Sequence, residues 1–198
     1  GNGVAFVLDY ARKAEGKDFI NPSRLFIYYG ERVIEHTVNQ DSGAQIRDGI
    51  KVIASQGAPP EILWPYNIAK FRNRPSRQAF KAALSDEAVQ YYSVDNTDGV
   101  SIRHALSLGF PVVFGAAVYQ AIEDLTAQNP VLSMPGANEQ SIGGHCLAVV
   151  GHDDSKNLYT VRNSWGAGYA DNGYLYIPYD YLHNGNIASD FWVVQTTN

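Results

Sequence analysis

Residues 143–173 read GGHCLAVVGHDDSKNLYTVRNSWGAGYADNG. Two glycines lead into His145, and Leu147, Ala148, Val149 and Val150 follow as an apolar run. The chain turns at His152-Asp153-Asp154-Ser155, returns as Leu158-Tyr159-Thr160-Val161, and ends on Asn163-Ser164-Trp165-Gly166. Two β-rich runs joined by a polar turn predict a hairpin. Antiparallel pairing brings the histidine that opens one strand toward the asparagine that ends the other. An amide oxygen accepting from an imidazole N–H fixes the ring's tautomer and leaves the second nitrogen for chemistry. Trp165 is placed to cover that hydrogen bond.

An interior histidine and a turn asparagine would explain the same two residues taken alone. The strings GGH before one run and RNSWG after the next narrow the choice. Together they resemble the C-terminal half of the papain-like cysteine peptidases, whose catalytic histidine precedes an apolar strand and whose orienting asparagine sits in an N-S-W-G segment. The resemblance implies peptide-bond hydrolysis through a Cys-His-Asn site, with peptide or protein substrates and no cofactor.

Composition is compatible with that. An apolar fraction of 45% in 198 residues supplies a core for one domain or two lobes, and 18% charged residues is low for a disordered chain. The net charge is −5 without a basic run, so nothing favours nucleic acid or an anionic membrane surface. No apolar run approaches the roughly 18 residues of a membrane span. Cys146 is the single cysteine, which rules out an intrachain disulfide. The histidines lack metal-ligand spacing, so no metal site is expected. No signal peptide is visible and Gly1 reads as the middle of something longer, so compartment and oligomeric state stay open.

Along the chain, Val4–Glu15 has a broad helical apolar face with Arg12 and Lys13 at its end and Gly16 to stop it. Asn21-Pro22-Ser23 starts a second helix running to about Val38. Asp41 or Ser42 is a candidate cap for a third over Gln45–Ser55, and Pro75–Ala83 is a short fourth. Asp9 and Glu15 read as solvated. Strands are expected at Val89–Val94, Pro111–Tyr119, Gly173–Pro178 and Phe191–Val194, with a helix over Thr97–Leu108. His152 reads as solvated in the hairpin turn, and His36, His104 and His183 show no partner pattern. Helices first and strands later indicate an α+β protein. The divide falls at about 1–89 and 90–198.

The same order resembles the papain architecture over nearly the whole chain: a helical lobe, an antiparallel β-barrel lobe and a cleft between them. Asp41-Ser42-Gly43-Ala44 is similar to the family's substrate-pairing glycine loop, Trp64-Pro65-Tyr66 to its Y-P-Y segment, and Gly109–Phe114 to its G-P-V strand. The resemblance therefore implies substrate contacts at Gly43, Ala44, Gln45, Ile46, Gly143, Gly144 and Trp165. It also implies a roomy pocket for bulky apolar or aromatic side chains. The departure is at the nucleophile. Where relatives read G-S-C-W-A-F, this chain reads Gly1-Asn2-Gly3-Val4-Ala5-Phe6, which puts Gly3 at the cysteine position. Cys146 adjoins His145 on a strand, so the two side chains should face opposite ways. The expectation is a peptidase site without a thiol, either in an inactive form of an active family or in a natural pseudo-peptidase that binds peptides. Acyl transfer of the transglutaminase kind needs the same thiol and ranks below both.

Overall fold

The computed structural model describes residues 1–84 and 89–196. Its elements are α1 (Asn2–Ala14), α2 (Arg24–Ile34), α3 (Ile46–Gln56), α4 (Arg77–Ala83), β1 (Val89–Ser93), α5 (Ser101–Ser107), β2 (Val112–Val118), β3 (Gly143–Asp153), β4 (Leu158–Arg162), β5 (Tyr174–Pro178), α6 (Tyr179–His183) and β6 (Ala188–Thr196). The class is α+β. Two compact units partition the chain: Gly1–Tyr92 with Val194–Asn198, and Ser93–Val193. Among the described residues no helix is long and apolar enough to cross a membrane.

The first unit is helical. Val4, Val7, Leu8 and Ala11 form the buried stripe of α1, as the sequence periodicity requires. Asp9 corrects its expected solvation: it is 5% exposed, and its carboxylate accepts from the backbone N–H groups of Ile20 and Asn21 at 3.1 and 3.2 Å. Those bonds offset the cost of burying the charge and tie down the chain after α1. Within the expected Asn21-Pro22-Ser23 start, Ser23 is the residue that caps α2, accepting from Phe26 N–H.

Helix α2 stops at Ile34, four residues short of Val38, for a visible reason. His36 takes a φ of 59°, and Thr37 N–H turns back to the Arg32 carbonyl at 2.8 Å. The Arg32 side chain is fully buried and donates to the carbonyls of Tyr28, Val38 and Phe71 at 3.2, 2.8 and 2.5 Å. Its guanidinium also lies over the Tyr28 ring at 3.9 Å. One fork thus binds the chain leaving α2 and a loop 39 residues on. Neither Asp41 nor Ser42 caps α3. The N-cap is Gln45 without a side-chain bond, and Asp41 instead accepts from the Tyr28 hydroxyl at 2.6 Å.

In the second unit, α5 begins at Ser101 rather than Thr97, because the Asp98 carboxylate takes up the N–H groups of Val100 and Ser101, both at 2.8 Å. The strand order is β1-β6-β2-β3-β4-β5. Among the described residues no ladder joins β1 to β5, so this hydrogen-bonded order is open at both ends. The outer edge of β5 is occupied by an irregular segment: Leu132 N–H donates to Tyr176 and Tyr176 N–H to Pro130, at 2.8 and 2.9 Å. Alternation along β4 and β5 buries Tyr159, Val161, Leu175 and Ile177, which join Phe114, stacked on Phe191 at 4.9 Å, in the core.

Two histidines depart from expectation. His183 has a partner, its Nε2 lying 2.9 Å from the Tyr159 hydroxyl. His152 belongs to β3, where its Nδ1 lies 3.3 Å from the Asp154 carboxylate and 3.4 Å from the Tyr179 hydroxyl.

Arg32 should be the most costly polar side chain to replace in the first unit. Arg32→Leu removes the side-chain donor from the Val38 and Phe71 carbonyls, at about 1–3 kcal/mol for each one that stays buried, and a second bond from the helical Tyr28 carbonyl. Chemical denaturation should show a loss of about 3 kcal/mol or more. Arg32→Lys should recover only part, because an ammonium cannot span the three acceptors. A loss under about 1 kcal/mol for Leu would contradict this account.

Candidate active site

The β3–β4 hairpin sets the geometry. Ala148 pairs with Arg162 and Val149 with Val161, and the register then shifts by one residue before Gly151 pairs with Thr160. That bulge lets both strands keep their buried faces on either side of it. On its other side β4 is extended toward β5, where Asn163 N–H donates to the Gly173 carbonyl at 3.0 Å. The register leads His145 to the Asn163–Trp165 segment.

There the imidazole meets the amide. His145 Nε2 lies 2.9 Å from Asn163 Oδ1. The same Oδ1 accepts from the backbone N–H of Ser164 at 2.7 Å, which fixes it as the oxygen end of the side chain. Facing an acceptor, Nε2 must carry the proton of the neutral ring, and the Nδ1 lone pair stays available. Ser164 is a contributor the sequence reading passed over, although it lies inside the quoted motif.

The Trp165 ring sits 5.1 Å from the His145 ring, centroid to centroid, while remaining 44% exposed. Tyr169 packs edge-on against Trp165 at 4.9 Å and donates to the Ile122 carbonyl at 2.7 Å. Burial pushes its phenol up to about 12, so it stays a neutral donor. No sequence pattern singled out Tyr169. Asn163 is 5% exposed, and its Nδ2 is buried without a hydrogen-bond partner among the described residues.

Gly143 and Gly144 precede His145 at the exposed start of β3. Gly143 has a φ of 153°, a conformation that L side chains rarely adopt. Nothing lies within 4 Å of where a Cβ would stand on either residue. Ser141 Oγ holds the Gly143 backbone, accepting from its N–H at 3.2 Å. Cys146 pairs with Gly115 and His145 with Ala116, so the alternation of β3 turns the thiol and the imidazole to opposite faces.

The remaining sequence candidates lie in the first unit. Gly43 is exposed and its N–H donates to the Tyr28 hydroxyl at 3.2 Å. Ala44 is half-buried, and Gln45 N–H donates to Glu35 at 2.7 Å. Ile46 is 7% exposed and already part of the packed face of α3. Gly3 is buried in α1, one turn before the fully packed Val7. Among the described residues no group of three or more His, Cys, Asp or Glu side chains is arranged to hold a metal.

Comparison with known proteins adds a family. The family model described as papain family cysteine protease matches residues 35–194. An uncharacterized peptidase C1-like protein of Acanthamoeba polyphaga mimivirus is 39% identical over 98% of this chain. The chain spans 65% of that relative's length. Xylellain, a cysteine protease from Xylella fastidiosa, is similar with a TM-score of 0.91 and 36% identity, over 100% of this chain and 78% of its own. The Carica candamarcensis cysteine protease CMS1MS2 has a TM-score of 0.66 at 16% identity, over 99% of this chain and 90% of its own, a likeness of fold.

Asn163→Ala removes two accepted hydrogen bonds, each worth about 0.5–1.5 kcal/mol net. Thermal or chemical denaturation of Asn163→Ala should therefore show a loss of about 1–3 kcal/mol. A loss above about 4 kcal/mol would mark Asn163 as a structural residue instead.

Proposed function

This chain belongs to the papain family of cysteine proteases, and on that footing we propose that His145 and Asn163 are the base and the orienting residue of a peptidase site. Its substrates are peptides or proteins. These 198 residues do not cut them, because Gly3 brings no thiol to the nucleophile position. The observation that carries the reading is the 2.9 Å contact of His145 Nε2 with an Asn163 oxygen that Ser164 N–H already fixes. It leaves Nδ1 as the nitrogen that would take a proton from a nucleophile and return it to a leaving amine.

A thiol is what such a base acts on, because the thiolate attacks and the thiol does not. Cys146 faces away from His145, so it does not fill that role. Removing the nucleophile of a comparable serine relay costs about 10⁶ in rate, which places this chain at background. The open space beside Gly143 and Gly144 supports a pocket that admits bulky apolar or aromatic side chains of the substrate. Gly43 and Gln45 are proposed as further substrate contacts on the first unit, with Ile46 contributing little surface.

A second reading, favoured by the glycine at position 3, is a natural pseudo-peptidase that binds peptides without cutting them. The decisive assay compares three proteins on a mixed peptide library: the 198-residue chain, Gly3→Cys, and Gly3→Cys with His145→Ala. Cleavage should be absent in the first, appear in the second and vanish in the third. Turnover by the unsubstituted chain that His145→Ala abolishes would overturn the inactive reading. A silent Gly3→Cys protein that remains folded would remove Gly3 from the nucleophile position and leave the second reading.

A further inference from the structure

Helix α2 presents Phe26, Tyr29, Gly30 and Val33 along one face, at the spacing that aligns side chains on a helix. Only part of that face is covered. With Gln56 at the end of α3, Arg74 before α4 and Phe80 on α4, these residues line an open pocket of about 350 Å³ within the first unit. That is within the range of small-molecule sites, roughly 300–1,000 Å³. None of these residues has a part in the proposed peptidase site.

The floor of the pocket is apolar. Phe26 and Phe80 meet edge to face at 5.0 Å, and Phe26 is 2% exposed. Gly30 forms part of the lining because α2 and α3 approach so closely there. A Cβ on it would stand 2.7 Å from a Val52 methyl. Val33, 45% exposed, lies at the rim.

Tyr29, Gln56 and the exposed Arg74 add polar groups to the same lining. The Arg74 guanidinium sits 5.5 Å from the centre of the Phe80 ring and makes no ion pair with an acid among the described residues. By contrast, Arg24 pairs with Glu61 at 2.8 Å and Arg103 with Asp154 at 3.6 Å. The Tyr29 hydroxyl and the half-buried Gln56 amide likewise have no protein hydrogen-bond partner among the described residues. An aromatic-walled cavity with a planar cation and two neutral polar groups is complementary to an apolar body that ends in a carboxylate.

We propose that this cavity is a binding site for an aryl or branched-alkyl group carrying a terminal carboxylate, with the apolar body against the Phe80 ring and the α2 face and the carboxylate on Arg74. Two sources share that chemistry: a free organic acid, and the C-terminal residue of a peptide ending in an apolar side chain. The site acts independently of His145, so the failure of either assignment leaves the other standing.

Isothermal titration calorimetry on the 198-residue chain tests this with three probes: 3-phenylpropanoate, its neutral counterpart 3-phenylpropan-1-ol, and the free-acid peptide Ala-Ala-Phe. The acid should bind with a millimolar or tighter Kd and about tenfold better than the alcohol. Arg74→Gln should weaken the acid by about tenfold and leave the alcohol unchanged, because a charge-assisted bond is lost. Val33→Trp, a substitution at the exposed rim, should weaken both. Arg74-dependent binding of Ala-Ala-Phe would support the site with peptide termini as the source. Binding of the acid without the peptide would support it with small acids as the source. Equal binding of acid and alcohol, no effect of Arg74→Gln, no effect of Val33→Trp, or no heat from the acid would each overturn the proposal.

Discussion

One hydrogen bond gives the second unit its chemical meaning: the amide of Asn163 holding the imidazole of His145. It depends on a strand register. The β3–β4 ladder, with its one-residue shift after Val149, sets which residue of the returning chain stands beside His145. A slip of one residue would exchange the two faces of β3 and put Cys146 where the imidazole belongs. The buried side chains Leu147, Val149, Tyr159 and Val161 oppose such a slip, because each would leave the core. Core packing thus holds a polar contact at the exposed end of the hairpin.

The polarity of that contact follows from a backbone group. Ser164 N–H occupies the Asn163 oxygen, so the amide cannot flip without losing a bond of 2.7 Å. The burial of Nδ2 without a partner is the energetic counterpart. Stability and orientation are balanced differently in the first unit. There Arg32 satisfies three carbonyls and Asp9 two amides, and their contribution is to hold loops against helices.

Much of this was legible in the sequence because it rests on local pattern. The hairpin, the position of His145 relative to Asn163 and Trp165, and the four helices of the first unit follow from periodicity, turn residues and caps such as Ser23. What the sequence concealed is tertiary. Asp9 looked like a solvated charge because its partners, the amides of Ile20 and Asn21, have no side-chain signature. The early end of α2 follows from Arg32 reaching Phe71, a contact that no window of sequence contains. Asp98 displaced the start of α5 by the kind of local bond that was credited to Asp41, which instead pairs with Tyr28. The open sheet depends on Pro130–Leu132 occupying the edge of β5, and that stretch read only as loop. Tyr169 and the pairing of His183 with Tyr159 were hidden for the same reason.

The central claim is that Asn163 fixes the proton of His145 on one nitrogen and frees the other. Nitrogen-15 NMR of the neutral imidazole, comparing the chain with Asn163→Ala, reads this most directly. The account predicts a ring protonated at Nε2 in the parent and a mixture of tautomers in the variant. A parent ring protonated at Nδ1, or a tautomer that does not respond to Asn163→Ala, would contradict it.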